Sequence, residues 1–132
     1  MKKFIFITIV IVITGMAILS TTIYFALHGN PISQYVMVKN TKQYLIAKGY
    51  KESELDSITA SYSIKRNTNR IKGTIAYVVF KNEPNIKYQY IKWRNFGEIQ
   101  QHCEHYNEKT RTYEVKGTEQ LKNIEANCAL KY

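Results

Sequence analysis

The sequence predicts an α+β protein: an N-terminal transmembrane helix, then a helix packed on a three- to four-stranded antiparallel meander, with a short C-terminal helix. Three observations predict this architecture. An uncharged run of 24 residues lies near the start, apolar residues recur every three or four positions in the next segment, and apolar and polar residues alternate through several later segments. The predicted domains are residues 1–29, a transmembrane anchor, and residues 30–132, a small extracytoplasmic α+β domain.

The uncharged run, residues 4–27, is long enough to cross a membrane as one helix. At about 1.5 Å per residue it reaches roughly 36 Å, against a hydrocarbon core of about 30 Å. Its length, and the lack of an Ala-x-Ala site after it, favour an uncleaved anchor over a cleaved signal peptide.

Orientation rests on several weaker signals. Lys2 and Lys3 mark a cytoplasmic end, but Lys39 and Lys42 follow the span, so the positive-inside count is nearly balanced. The short N-terminal tail and the restriction of cysteine to the later part favour an outside domain. We therefore expect a single-pass protein of the cell membrane, with a cytoplasmic N-terminus and an extracytoplasmic C-terminal domain.

A second helix is predicted to begin at Asn30-Pro31, with Asn30 as the N-cap and Pro31 in the first helical position. It is predicted to run to Lys48 and to end at Gly49, a residue that commonly terminates helices. One apolar face indicates that this helix covers a sheet. The positions on that face are Met37, Val38, Thr41, Tyr44 and Leu45.

Strands are predicted where the periodicity changes to two. Residues 58–65 alternate between apolar and polar side chains, residues 71–81 form a second strand, and residues 86–93 form a third. Residues 66–70 and 82–85 have the composition of turns. Such short connections predict antiparallel hairpins.

The C-terminal third is less regular. Residues 96–108 fit either a bent strand or a loop, and residues 111–116 are predicted to form a fourth strand. Thr118 is predicted to cap a final helix. That helix would carry Leu121, Ile124 and Cys128 at core spacing.

Several local motifs resemble one known family. They are Gly-Asn-Pro-Ile at residues 29–32, Lys-Gly-Tyr-Lys-Glu-Ser at residues 48–53 and the turn Phe-Lys-Asn-Glu-Pro at residues 80–84. Across roughly residues 1–94 the chain resembles the Gram-positive membrane-protein family catalogued as domain of unknown function 3139. The resemblance implies a membrane-associated protein of unknown activity and supplies no catalytic residues. The tail from Phe96 onward lies outside it.

Cys103 and Cys128 are the only two cysteines. An even number in a domain expected outside the cytoplasm favours one disulfide, and the alternative is two free thiols. The segment His102-Cys103-Glu104-His105 holds three possible zinc ligands, but no recurrent ligand spacing accompanies it. We therefore predict no metal site and no cofactor.

The chain has 19 basic and 10 acidic residues, and only Lys2 and Lys3 precede the domain. This basic balance suggests anionic partners, although an outside domain excludes nucleic acid. The candidate polyanion-binding residues are Lys65, Arg66, Arg70, Lys72, Lys87, Lys92 and Arg94.

No nucleophile motif, paired carboxylates or phosphate loop is recognisable, so the sequence does not favour an enzyme. The leading hypothesis is a non-enzymatic protein that binds a protein or peptide partner at the outer membrane face, for example through an exposed strand edge. The alternative is a module that binds anionic cell-wall polymers or lipid head groups. A further alternative is an unrecognised enzyme, and the simplest interpretation is a basic surface with no dedicated ligand.

Overall fold

The computed structural model describes residues 1–115 and 121–130. Two helices precede a single antiparallel sheet whose strands lie in the order β1-β2-β3-β4-β5. The elements are α1 (Lys2–His28), α2 (Pro31–Ala47), β1 (Leu55–Tyr62), β2 (Thr74–Phe80), β3 (Glu83–Lys92), β4 (Ile99–Asn107) and β5 (Thr112–Val115).

Helix α1 projects from the domain and buries no side chain against it. Its 27 residues are long and apolar enough to cross a membrane. The serine and threonine hydroxyl groups on the helix donate to its own backbone, as Thr8 does to the Phe4 carbonyl (3.0 Å) and Thr14 to the Val10 carbonyl (2.8 Å). Such bonds within the helix satisfy polar groups that would find no hydrogen-bond partner in the hydrocarbon of a membrane.

A two-residue junction connects the helices. Gly29 has φ 73° and ψ 176°, a conformation essentially restricted to glycine, and a Cβ placed there would lie 2.4 Å from the Cβ of Tyr62. Asn30 caps α2, because its side chain accepts from the Ile32 amide (2.8 Å), and Pro31 occupies the first turn as predicted. The contact with Tyr62 fixes α1 at the end of the sheet where β1 finishes.

Helix α2 covers one face of the sheet, packing mainly on β1 and β2. It ends at Ala47, and Gly49 adopts a φ of 99° just beyond it, as the predicted stop requires. Buried side chains of α2 meet those of β2 and β3 in the main core. That core contains Met37, Leu45, Ala76, Val78, Phe80, Ile86, Tyr88 and Tyr90.

Because the strands are antiparallel, alternate connections lie at opposite ends of the sheet. Residues 63–73 and 93–98 connect strands at the end next to Gly29, which we call the anchor end; residues 81–82 and 108–111 connect strands at the distal end. The two anchor-end loops are joined by backbone bonds from Lys72 to Lys92 (3.0 Å) and from Arg94 to Arg70 (2.8 Å).

The α+β class, the apolar N-terminal helix and the antiparallel meander are confirmed, but the predicted strand count was too low. Residues 99–107, for which the sequence allowed either a bent strand or a loop, form β4. The sheet therefore has five strands in the part of the chain that the structure describes. Strand β1 ends at Tyr62 because Ile64–Arg66 turn as a 3₁₀ helix.

The predicted C-terminal helix is not confirmed. Thr118 lies outside the described residues, and residues 121–130 form turns and a bridge instead of a helix. Gln101 accounts for part of this, since its side chain donates to the Asn123 carbonyl (2.9 Å) and accepts from the Glu125 amide (2.6 Å). Ala129 then pairs with His102 on β4. These bonds take backbone groups that a helix would need.

Candidate functional site

The two cysteines form a disulfide, as predicted. The Cα atoms of Cys103 and Cys128 lie 4.9 Å apart, and the bond joins β4 to the tail. Both backbone bonds between Ala129 and β4, one to Gln101 (2.8 Å) and one from Cys103 (2.9 Å), lie beside it. The disulfide therefore holds the tail against β4 beside the isolated bridge between His102 and Ala129.

Six of the seven candidate polyanion-binding residues lie in or beside the two anchor-end loops. Lys87 is the exception, because it lies toward the distal end of β3 and forms an ion pair with Glu108. The six at the anchor end are Lys65, Arg66, Arg70, Lys72, Lys92 and Arg94.

Two of these six bind the protein itself. Arg94 donates from Nε to the carbonyls of Thr68 (2.8 Å) and Ile71 (3.2 Å), so it organises the first loop. Arg66 binds Glu104 (2.6 Å) and also donates to the buried Gln89. Their guanidinium groups therefore have structural roles.

The other four cations, Lys65, Arg70, Lys72 and Lys92, have no carboxylate partner within residues 1–115 and 121–130. Lys65, Arg70 and Lys72 are exposed, and Lys92 is half-buried. Among the described residues, the anchor end therefore carries four cationic side chains with no ion-pair partner.

A groove crosses the open face of the sheet, opposite α2. It has a volume of about 450 Å³ and spans from β1 to β5. Tyrosine side chains from three different strands, Tyr77 on β2, Tyr106 on β4 and Tyr113 on β5, form its aromatic surface, and we call it the tyrosine groove. Its remaining lining residues are Thr59, Ala60, Ser61, Lys87 and Glu108.

Strand pairing explains why these rings meet. Ala76 and Val78 face the core, so Tyr77 between them faces the other way. Tyr106 and Tyr113 are directly paired across β4 and β5, and their ring centroids are 5.0 Å apart. An aromatic cross-strand pair of this kind stabilises its sheet and presents a rigid surface.

Cations lie over two of the rings. The Arg66 guanidinium is 5.7 Å from the centre of the Tyr113 ring, and the Lys87 ammonium is 5.7 Å from the centre of the Tyr106 ring. These cation–π contacts, together with the ion pairs to Glu104 and Glu108, fix the walls of the groove. Burial, and then the neighbouring Tyr77, raise the pKa of Tyr113 above its usual 10.0.

Sequence reasoning did not select Tyr77, Tyr106 or Tyr113 as site residues. The signal was the large number of tyrosines, 11 in the chain. Composition alone does not say which of them share a face, because Tyr88 and Tyr90 are buried on the opposite side in the main core.

Comparison with known proteins places the chain in a family. Residues 1–90 match the family described as "Protein of unknown function (DUF3139)". The chain belongs to DUF3139. The match confirms the resemblance seen in the sequence and covers α1, α2, β1, β2 and most of β3 of this DUF3139 protein. Neither a curated protein nor a solved structure matches the chain.

Proposed function

We propose that this DUF3139 protein is a non-enzymatic, single-pass protein of the cell membrane whose extracytoplasmic domain binds a protein or peptide segment in the tyrosine groove. The tyrosine groove itself carries the proposal. Tyrosine and arginine are enriched at protein interfaces, because they supply a large contact area together with hydrogen bonds. Here the rings are already held in place, so little conformational entropy is lost on binding.

The free edge of β1 adds a second contact. In the described part of the chain, β1 pairs only with β2, and its other edge has no strand beside it. Thr59 and Ser61 of β1 also line the groove. An extended peptide could therefore add to this edge through its backbone while its side chains contact the rings.

The anchor would restrict where such a partner lies. Helix α1 has the length and apolar composition of a membrane span, and only Gly29 and Asn30 separate it from α2. The close contact of Gly29 with Tyr62 leaves no flexible stalk. We expect the partner to be bound close to the membrane surface.

Selection from a random peptide library tests this proposal, with the full-length protein in lipid nanodiscs as bait. We expect selected peptides to bind the wild type, and Tyr113→Ala to weaken that binding by about 30-fold, the effect of removing a central aromatic anchor. Tyr35→Ala is the matched control, because Tyr35 is exposed on α2, outside the groove. Thermal unfolding would confirm that both variants fold.

Two outcomes would contradict the proposal. One is a failure to select any peptide above the background of empty nanodiscs. The other is equal binding to wild type, Tyr113→Ala and Tyr35→Ala, which would place every selected peptide outside the groove.

A second candidate function, binding of anionic cell-wall polymers, is favoured by the cations at the anchor end that form no ion pair with any described residue. Lys65 and Arg70 are exposed, and neither forms an ion pair within residues 1–115 and 121–130. Polymer binding would weaken steeply with salt, because it depends on screened charges. Peptide binding to the rings would depend much less on salt.

A further inference from the structure

A separate cavity lies at the anchor end, between the first two turns of α2 and the sheet. Its volume is about 150 Å³. Ile32, Val36 and Met37 form one wall. Met37 is buried, but Ile32 and Val36 remain 69% and 42% exposed, so this apolar wall continues onto the protein surface.

The opposite wall is cationic. Lys72 and Lys92 both line the cavity, and their backbones are joined by a hydrogen bond of 3.0 Å. The hydroxyl-bearing side chains of Ser33 and Thr74 line it as well, and no carboxylate from residues 1–115 or 121–130 is among its lining residues. Two cationic side chains that line the same cavity favour an anion in it.

The cavity also lies at a suitable depth. Ile32 follows Leu27, the end of the uncharged run, by five residues, so it lies within roughly 12 Å of that end. The head-group layer of a bilayer extends roughly 5–8 Å beyond the hydrocarbon on each side. If α1 spans the membrane, the cavity would therefore lie within a few ångströms of the head-group layer.

Two further side chains at the anchor end agree with this placement. Ile64 and Phe96 lie on the two anchor-end loops and are 59% and 78% exposed. Large apolar side chains next to lysine and arginine are typical of surfaces that touch a membrane interface.

We propose that this cavity binds the phosphate of an anionic phospholipid, with Lys72 and Lys92 contacting the phosphate and Ile32 and Val36 contacting the upper acyl chains. An inorganic phosphate ion would use the lysines but leave the apolar wall exposed. This inference rests on the proposed membrane anchoring by α1, and it is independent of ligand binding in the tyrosine groove.

Native mass spectrometry of the full-length protein in a neutral detergent tests the inference. The probes are phosphatidylglycerol and phosphatidylcholine with identical acyl chains. We expect one phosphatidylglycerol to bind in preference to phosphatidylcholine, and Lys72→Gln/Lys92→Gln to weaken that binding by about 30-fold. Lys81→Gln/Lys109→Gln is the control, because it removes the same charge from exposed positions at the distal end and should bind as the wild type does.

Inorganic phosphate is added in a further arm, and a tenfold excess over lipid should leave the bound phosphatidylglycerol in place. The inference is overturned if phosphate displaces the lipid, if phosphatidylcholine binds equally well, or if both double variants lose the same affinity. Tyr113→Ala should retain phosphatidylglycerol, and Lys72→Gln/Lys92→Gln should retain the groove peptides. Failure of the cavity and failure of the groove are therefore separate results.

Discussion

Substitution of Gly29 tests how tightly the domain is held to its anchor. In Gly29→Ala, the new Cβ would lie 2.4 Å from the Cβ and 2.6 Å from the Cγ of Tyr62, closer than real Cβ atoms approach. The backbone would also be strained, because φ 73° and ψ 176° is a glycine conformation. Strain of this kind costs about 1–3 kcal/mol, and overpacking adds about 1–3 kcal/mol.

The expected loss is therefore about 2–6 kcal/mol of the free energy of unfolding, a large share of the stability of a small domain. Urea unfolding of the full-length protein in detergent would measure it, through the fluorescence of Trp93, the single tryptophan. Gly49→Ala is the matched control. Gly49 also has a positive φ, 99°, but a Cβ there would meet nothing within 4 Å, so only the backbone strain applies.

A second substitution, at Tyr62, separates the steric cost of Gly29→Ala from its backbone strain. Tyr62→Ala would not relieve the clash, because the nearest atom is the Cβ of Tyr62 itself. Tyr62→Gly would remove that atom, so Gly29→Ala should cost less in its presence. The reasoning is wrong if Gly29→Ala destabilises no more than Gly49→Ala, or if the two sites show no coupling.

Two other predictions concern stability. Cys103→Ser/Cys128→Ser should lower the free energy of unfolding by about 3.5 kcal/mol, because the disulfide closes a loop of 25 residues. Urea unfolding with and without a reductant measures this effect, and an unchanged midpoint for the wild type would contradict it. Burial raises the pKa of Glu83, but hydrogen bonds from Tyr88, Lys122 and Asn123 outweigh it and lower that pKa below its usual 4.5. The Glu83 carboxylate therefore stabilises the folded protein at pH values above its usual pKa, and this stabilisation is lost as the pH falls through the lowered pKa. Glu83→Gln should consequently reduce the loss of unfolding free energy measured between pH 7 and pH 3.

The helices could be predicted because their signals are local. The Asn30-Pro31 start and the Gly49 stop each depend on residues within one helical turn. The end of β1 could not be predicted in this way. The alternation continues through Ile64, yet the chain turns there, and Arg66 contacts Glu104, which lies 38 residues later in the sequence.

Strand β4 was harder to predict because its buried side chains are polar. Gln101, His102, His105 and Asn107 are all buried, although their composition is typical of a loop. Gln101 can be buried because its partners come from β3 and the tail, including the Tyr90 hydroxyl at 3.0 Å. The tyrosine groove could not be predicted either, because its rings come from three strands and meet only once the order of those strands is known.

The order of the strands also has a consequence for how the chain folds during its synthesis. Each strand pairs with the one made immediately before it, so the sheet can grow hairpin by hairpin as the chain emerges, with only short loops to close. The tail is different, because Ala129 and Cys128 must return to β4 across more than twenty residues. We therefore expect the disulfide to form last, so that its presence distinguishes fully folded molecules from those whose tail has not yet bound β4.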